Sequence, residues 1–127
     1  MTKIKIFSPF GPKIAKTKIP ISLIKKLNNE VDKIISNKKL LKKSDYSSKL
    51  VGEVYQEIRL SRNFIDKNLK KFLNNKILEY LKMTKKKKSK ITKIKNLWVV
   101  RQFKNDYNPI HYHDGNISGV GYLKIPK

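Results

Sequence analysis

Both histidines of this chain, His111 and His113, lie one residue apart in the run Asn108-Pro109-Ile110-His111-Tyr112-His113-Asp114-Gly115. Residues i and i+2 of an extended strand project from one face. The spacing therefore offers two imidazoles to a single point in space. Neutral imidazole is the commonest side-chain ligand for transition metals and suits Fe, Zn, Cu and Ni. Asp114 competes with His113 as second ligand. On a continuous strand it points away from His111, but at the start of a turn it can swing in. A mixed histidine and carboxylate set with open positions is the signature of non-haem Fe(II) oxygenases. A zinc hydrolase shares the half-site but wants a general base, and none is nearby. The plain alternative is a pair of packed or exposed histidines with no ligand.

The rest of the composition narrows the field. The chain has 127 residues, room for one domain. It has no cysteine, which removes disulfides, thiolate metal sites and cysteine nucleophiles. The basic N-terminus is cut by Pro9, Gly11 and Pro12 before any long apolar run, so it does not read as a secretory leader. No stretch approaches the ~18 apolar residues of a membrane span. These features predict a cytoplasmic protein with no membrane partner.

The net charge of +22 raises a nucleic-acid partner. Lysine outnumbers arginine 28 to 3, however, and Ile and Asn are also abundant, which is the residue usage of AT-rich codons. Readers of nucleic acid lean on the bidentate fork of arginine. The densest basic run, Lys85-Lys86-Lys87-Lys88 with Lys82 and Lys90, has no interleaved aromatics to stack on bases. It reads first as a solvated linker and second as a phosphate-contacting patch.

The elements that must carry the histidines follow from periodicity. Ile4 and Ile6 alternate with lysines and predict a strand at 3–7. Ser8 to Pro12 is a turn. Ile24, Leu27, Val31, Ile34 and Ile35 sit at helical spacing and predict a helix over 22–37, capped by Ser22. Residues 38–49 read as a polar loop. From Val51 to Leu60 one parity holds Val54, Gln56, Ile58 and Leu60 and the other Tyr55, Glu57 and Arg59, which predicts a strand weakened by Gly52. Ile65, Leu69, Phe72, Leu73, Ile77, Tyr80 and Leu81 form the stripe of a second helix over 63–82, with Ser61 or Asn63 as cap. Leu97 to Phe103 is rich in β-formers, Lys104 to Asp106 supplies a turn, and Tyr107 to His113 can be extended. Asp114-Gly115-Asn116 is a tight-turn signal, and Ile117 to Ile125 reads as a further strand. Helices with scattered strands, then a run of strands, argue an α+β fold.

The run Trp98-Val99-Val100-Arg101-Gln102-Phe103, then Tyr107-Asn108-Pro109-Ile110-His111-Tyr112-His113, then Ser118-Gly119-Val120-Gly121-Tyr122-Leu123-Lys124-Ile125-Pro126 resembles the 2-oxoglutarate/Fe(II)-dependent oxygenases of marine bacteria and their phages, distant relatives of prolyl hydroxylases. Phe7 to Pro12 and the Gln56-Glu57 strand also resemble the leaders of such proteins. The resemblance implies N-terminal helices, over residues 1–90, and from residue 91 the first strands of a double-stranded β-helix, or jelly roll. It implies Fe(II) held by His111 and by the residue two positions on, where His113 replaces the family's carboxylate and Asp114 stays in reserve. Tyr122 matches a position that reaches the 2-oxoglutarate co-substrate; without the resemblance it is a core aromatic of a strand. Asn108 would steady a ligand imidazole or serve only as turn chemistry before proline. The family's distal histidine and basic co-substrate anchor lie on later strands, and Arg59, Arg62 and Arg101 all precede the motif. The expectation is an N-terminal portion of an oxygenase, completed by a downstream second half or by a homo-oligomer. The alternatives are a basic nucleic-acid-binding protein and a non-catalytic metal-binding jelly-roll protein. The substrate is not legible.

Overall fold

The computed structural model describes residues 3–84 and 92–125. The basic run Lys85–Lys88 and Lys90 lies outside the described residues. The fold is mixed α+β, with helices and two small antiparallel sheets.

The first sheet pairs β1 (Lys5–Phe7) with β2 (Ile14–Lys16), joined across the Pro9–Pro12 turn, where Gly11 adopts a positive φ of 93°. β2 is three exposed residues and carries no alternation by which the sequence could announce it.

Helix α1 (Ile21–Ile35) buries Leu23, Leu27, Val31 and Ile34, a stripe at i, i+4, i+8 and i+11. Its cap is Pro20 and not the expected Ser22. The Pro20 carbonyl accepts from the Leu23 and Ile24 amides, and no side chain caps the helix. The expected loop at 38–49 is instead helix α2 (Lys38–Ser44) followed by a 3-10 turn (Ser47–Lys49). Asn37 starts α2, its side-chain oxygen accepting from the Lys39 and Leu40 amides. Leu40 and Leu41 then pack on Val31, Ile34 and Ile58, so tertiary burial and a cap override a polar composition.

β3 is shorter than expected, Gln56–Arg59. The second long helix is close to expectation. It begins as α3 (Arg62–Phe64), capped by Ser61, whose hydroxyl accepts from the Phe64 amide. A π-helical segment (Ile65–Leu69) follows, and then α4 (Lys70–Met83).

β4 (Trp98–Arg101) pairs antiparallel with β3: Gln56 faces Arg101, Glu57 faces Val100, Ile58 faces Val99 and Arg59 faces Trp98. The helical N-terminal part and the later β part are thus interlocked through one sheet. Two apolar clusters sit beneath it. One joins Leu23, Leu27, Leu60, Ile65 and Leu69; the other joins Val31, Ile34 and Ile58, and Val99 packs against both.

The expected strand at Ile117–Ile125 does not form. No backbone ladder reaches it among the described residues, and Ile117, Val120, Tyr122 and Ile125 are exposed while Leu123 packs on the first cluster. β-propensity needs a partner strand to be expressed. The described residues show the two sheets and no jelly roll. No helix among them is long and apolar enough to cross a membrane.

Candidate metal centre

The histidines ride on a strap that leaves the sheet after β4. Asp106 folds the start of the strap: its Oδ2 accepts from the Phe103 amide at 2.9 Å and from the Tyr55 amide at 3.1 Å. Asn105 takes a positive φ of 71° in this turn. The Glu53 and Tyr107 backbones then exchange two hydrogen bonds, of 3.0 and 3.2 Å. Beside them the strap lies so close to Gly52 that a Cβ there would collide with Asn108 Oδ1. The glycine that weakens the strand is thus what lets the strap approach. Asn108 faces Gly52, and no hydrogen bond joins it to either imidazole among the described residues.

From this anchor the chain presents His111 and His113 together. Their Nε2 atoms are 3.0 Å apart, with ring centroids at 4.6 Å and planes at 79°. His111 Nδ1 lies 2.7 Å from the Pro109 carbonyl oxygen. A carbonyl only accepts, so Nδ1 is assigned the proton and the Nε2 lone pair faces His113. His113 rests on Trp98, centroids 5.8 Å apart. Both histidines are exposed.

The other expected site residues stand apart. Asp114 is turned to Lys95, whose ammonium donates to Oδ2 at 2.8 Å. That hydrogen bond and the Lys95 charge hold its carboxyl below the usual range. Tyr122 is exposed and makes no hydrogen bond or ring contact among the described residues.

One residue of this neighbourhood is absent from the sequence reading as a site residue. Val54, Gln56, Ile58 and Leu60 are buried as their parity predicts, and Tyr55 and Arg59 of the other parity are exposed. Glu57 breaks the pattern at 2% exposure. Its Oε2 is buried without a partner, and no described residue donates to its carboxylate. Burial pushes its pKa up, the nearby Asp45 charge pushes it further, and His111 pulls the other way. A glutamate in a strand of otherwise clean alternation is the only signal the sequence carried.

A group of three or more His, Asp or Glu side chains converging on one point is absent among the described residues. The two imidazoles stand together with no third His, Asp or Glu side chain converging on them among the described residues. A separate cavity of about 380 Å³ opens between α1, α2 and the Arg59–Arg62 corner. Lys33, Lys43, Arg59, Arg62 and Lys95 line it against one acid, Glu30. The chain matches no family model, no curated protein and no solved structure.

Proposed function

We propose that His111 and His113 are neighbouring ligands of a divalent transition metal in a 2-oxoglutarate/Fe(II)-dependent oxygenase of hydroxylase type. The 3.0 Å between the Nε2 atoms carries the reading. With metal–nitrogen bonds of ~2.0–2.1 Å, that separation corresponds to a ligand–metal–ligand angle of about 91–97°, near the right angle of adjacent octahedral positions. A tetrahedral ion would set the atoms about 3.3–3.4 Å apart. The two rings already stand side by side at hydrogen-bond distance, before any metal binds. Bound Fe(II) and 2-oxoglutarate would supply the oxidising chemistry. The protein's share is ligation and access: Pro109 fixes the His111 tautomer, Trp98 supports the His113 ring, and the Asp106 turn holds the strap down. Tyr122 remains the proposed contact to the co-substrate, and Asp114 the reserve ligand once released from Lys95.

The jelly roll, the downstream second half or second copy that would complete it, and a cytoplasmic location belong to the same proposal. The test is Fe(II)- and 2-oxoglutarate-dependent succinate formation by the chain joined to its downstream reading frame, beside Ni(II) titration of the chain alone. Succinate formation together with Ni(II) binding lost in His111→Ala supports the proposal. Binding without turnover in the joined protein leaves a non-catalytic metal-binding protein, and equal binding by wild type and His111→Ala refutes the site.

A second reading rests on the basic cavity. Two of the chain's three arginines line it, but Arg59 donates to Asn96 and Arg62 to the Ile94 and Lys95 carbonyls, and Lys95 pairs with Asp114, which leaves Lys33 and Lys43 as its outward charges. A polyanion such as a nucleic-acid backbone suits it. That reading requires affinity falling steeply with salt and a shallower salt slope in Lys33→Ala/Lys43→Ala.

A further inference from the structure

We propose that Tyr55, Phe103, Arg101 and Lys104 form a stacking ledge for single-stranded nucleic acid, with bases against the rings and phosphates against the cations. The ledge is independent of the histidines. It shares a polyanion with the reading of the basic cavity, but not the site. The cavity takes in Arg59 and Leu97, at one end of the β3–β4 ladder, and the ledge begins at Arg101, opposite Gln56, at the other.

The two rings are built into place. Tyr55 and Phe103 stand on separate segments, and one carboxylate joins them: Asp106 Oδ2 accepts from both of their amides. The Gln102 side chain donates to the Asp106 carbonyl at 2.8 Å and closes the same turn. The rings then meet edge to face, with centroids 5.5 Å apart and planes at 89°. A ring held in this way loses little freedom when a ligand stacks on it. Both rings nevertheless stay open to water, Tyr55 at 72% exposure and Phe103 at 46%. Exposed apolar residues scattered singly are ordinary, whereas contiguous exposed patches mark interaction sites.

The charges say what binds. The Arg101 guanidinium lies over the Phe103 ring, with Cζ 5.2 Å from the centroid. One of its nitrogens donates to Gln56, and no described residue takes its other N–H groups. Lys104 is exposed in the turn and pairs with no acid among the described residues. Asp106 is taken up by the two amides and Glu57 is buried, which leaves Glu53 as the exposed acid of this corner. On a chain of net charge +22, exposed rings beside two cations suit an anionic ligand that carries flat rings of its own. Single-stranded nucleic acid has both. In a duplex the bases already stack on one another, and their faces are closed to an added ring. Every base has a π-face, so the ledge takes single strands with little sequence preference. The aromatics that the lysine run lacks are thus supplied at this corner by residues distant in the sequence.

The experiment is fluorescence anisotropy of a short labelled oligothymidylate, and of a duplex of the same length, across a salt series. The proteins are wild type, Tyr55→Ala, Tyr55→Phe, Lys104→Ala and Lys33→Ala/Lys43→Ala. Tyr55→Ala should bind the single strand about tenfold more weakly at every salt concentration, with the salt slope unchanged, because stacking releases no counterions. Tyr55→Phe should restore the affinity. Lys104→Ala should make the slope shallower by about 0.7, one phosphate on a single strand. Single-strand affinity unchanged in Tyr55→Ala, or a loss of equal size on the duplex, overturns the ledge whatever the cavity does. An unchanged slope in Lys33→Ala/Lys43→Ala removes the cavity reading and leaves the ledge. No binding by the wild type removes both. Should Tyr55→Ala fail to fold, Tyr55→Leu takes its place, an apolar side chain without a π-face: the same loss supports the ledge, and wild-type affinity overturns it.

Discussion

Replacing Glu57 by glutamine in the metal-free protein should raise stability, and by an amount that depends on pH. The glutamate is 2% exposed and accepts no hydrogen bond from a described residue, and burial lifts its pKa above the usual 4.5. A carboxyl with a higher pKa folded than unfolded binds more protons in the folded state across the interval between the two. Stability contributed by its protonated form is fully present below the unfolded value and is lost as pH rises from there through the folded value. The wild type should therefore lose stability from about pH 4.5 upward, and Glu57→Gln should not. An ionised carboxylate held out of water costs several kcal/mol even after relaxation. A buried amide without a partner costs ~1–3 kcal/mol. The difference favours glutamine by about 2 kcal/mol at alkaline pH, roughly thirtyfold in the folding equilibrium. At this chain length that is a rise in Tm of about 8 °C, shrinking towards zero below the usual glutamate pKa, where both side chains are neutral. The assay is urea denaturation of both proteins in a chelator-containing buffer series from acid to alkaline. Two profiles that run parallel, within ~0.5 kcal/mol of a constant offset, would refute the claim that an unpaired charge is buried in β3.

Other substitutions probe the frame around the site. Ile58→Ala empties the fully buried position where β3 meets Val31 and Ile34, and should cost about 3 kcal/mol, seen as a lower urea midpoint at unchanged slope. Asn37→Ala removes the side-chain acceptor of two amides at the start of α2 and should cost about 1 kcal/mol by the same assay. Asp106→Ala frees the Phe103 and Tyr55 amides, and should lower stability by about 1–2 kcal/mol and weaken Ni(II) binding through a loosened strap, although Asp106 itself touches no ligand.

The helices were legible because burial writes a 3.6-residue period into the sequence: the stripe from Leu27 to Ile34 and the Ser61 cap stand where spacing and capping chemistry put them. The histidine pair was legible for the analogous reason, as a period of two brings His111 and His113 to one side. Helix α2 was not, since its two leucines sit among lysines and its evidence lies in what Ile58 and Val31 do across space. The Ile117–Ile125 segment has strand composition, but a strand is a property of two chains of hydrogen bonds and the described residues supply one. Glu57 illustrates the limit at the site itself. Alternation assigned it to the open side of β3, and its burial comes from tertiary neighbours such as the Asp45–Tyr46 segment, whose Tyr46 amide donates to the Glu57 carbonyl.

The segment that carries the histidines also leaves much apolar surface exposed. Ile110, Tyr112, Val120, Tyr122 and Ile125 are all exposed, on a segment with little ladder of its own. β4 pairs only with β3 among the described residues, and its other edge is open. A two-stranded sheet with an open edge is marginal by itself, and an exposed apolar flank beside it invites further strands. The proposed completion of the β-helix, by a second half or a second copy, would cover both at once. It would also seal the two imidazoles from water on the side away from Trp98, raising the strength of any charge interaction with Glu57. On that proposal, metal binding at the histidines and strand addition at β4 would be coupled. If strands are added at β4, the amides of Trp98–Arg101 should gain protection from hydrogen exchange and Ni(II) affinity should rise in the same titration. Protection without a gain in affinity would mean that the added strands complete the fold and leave the centre as it is.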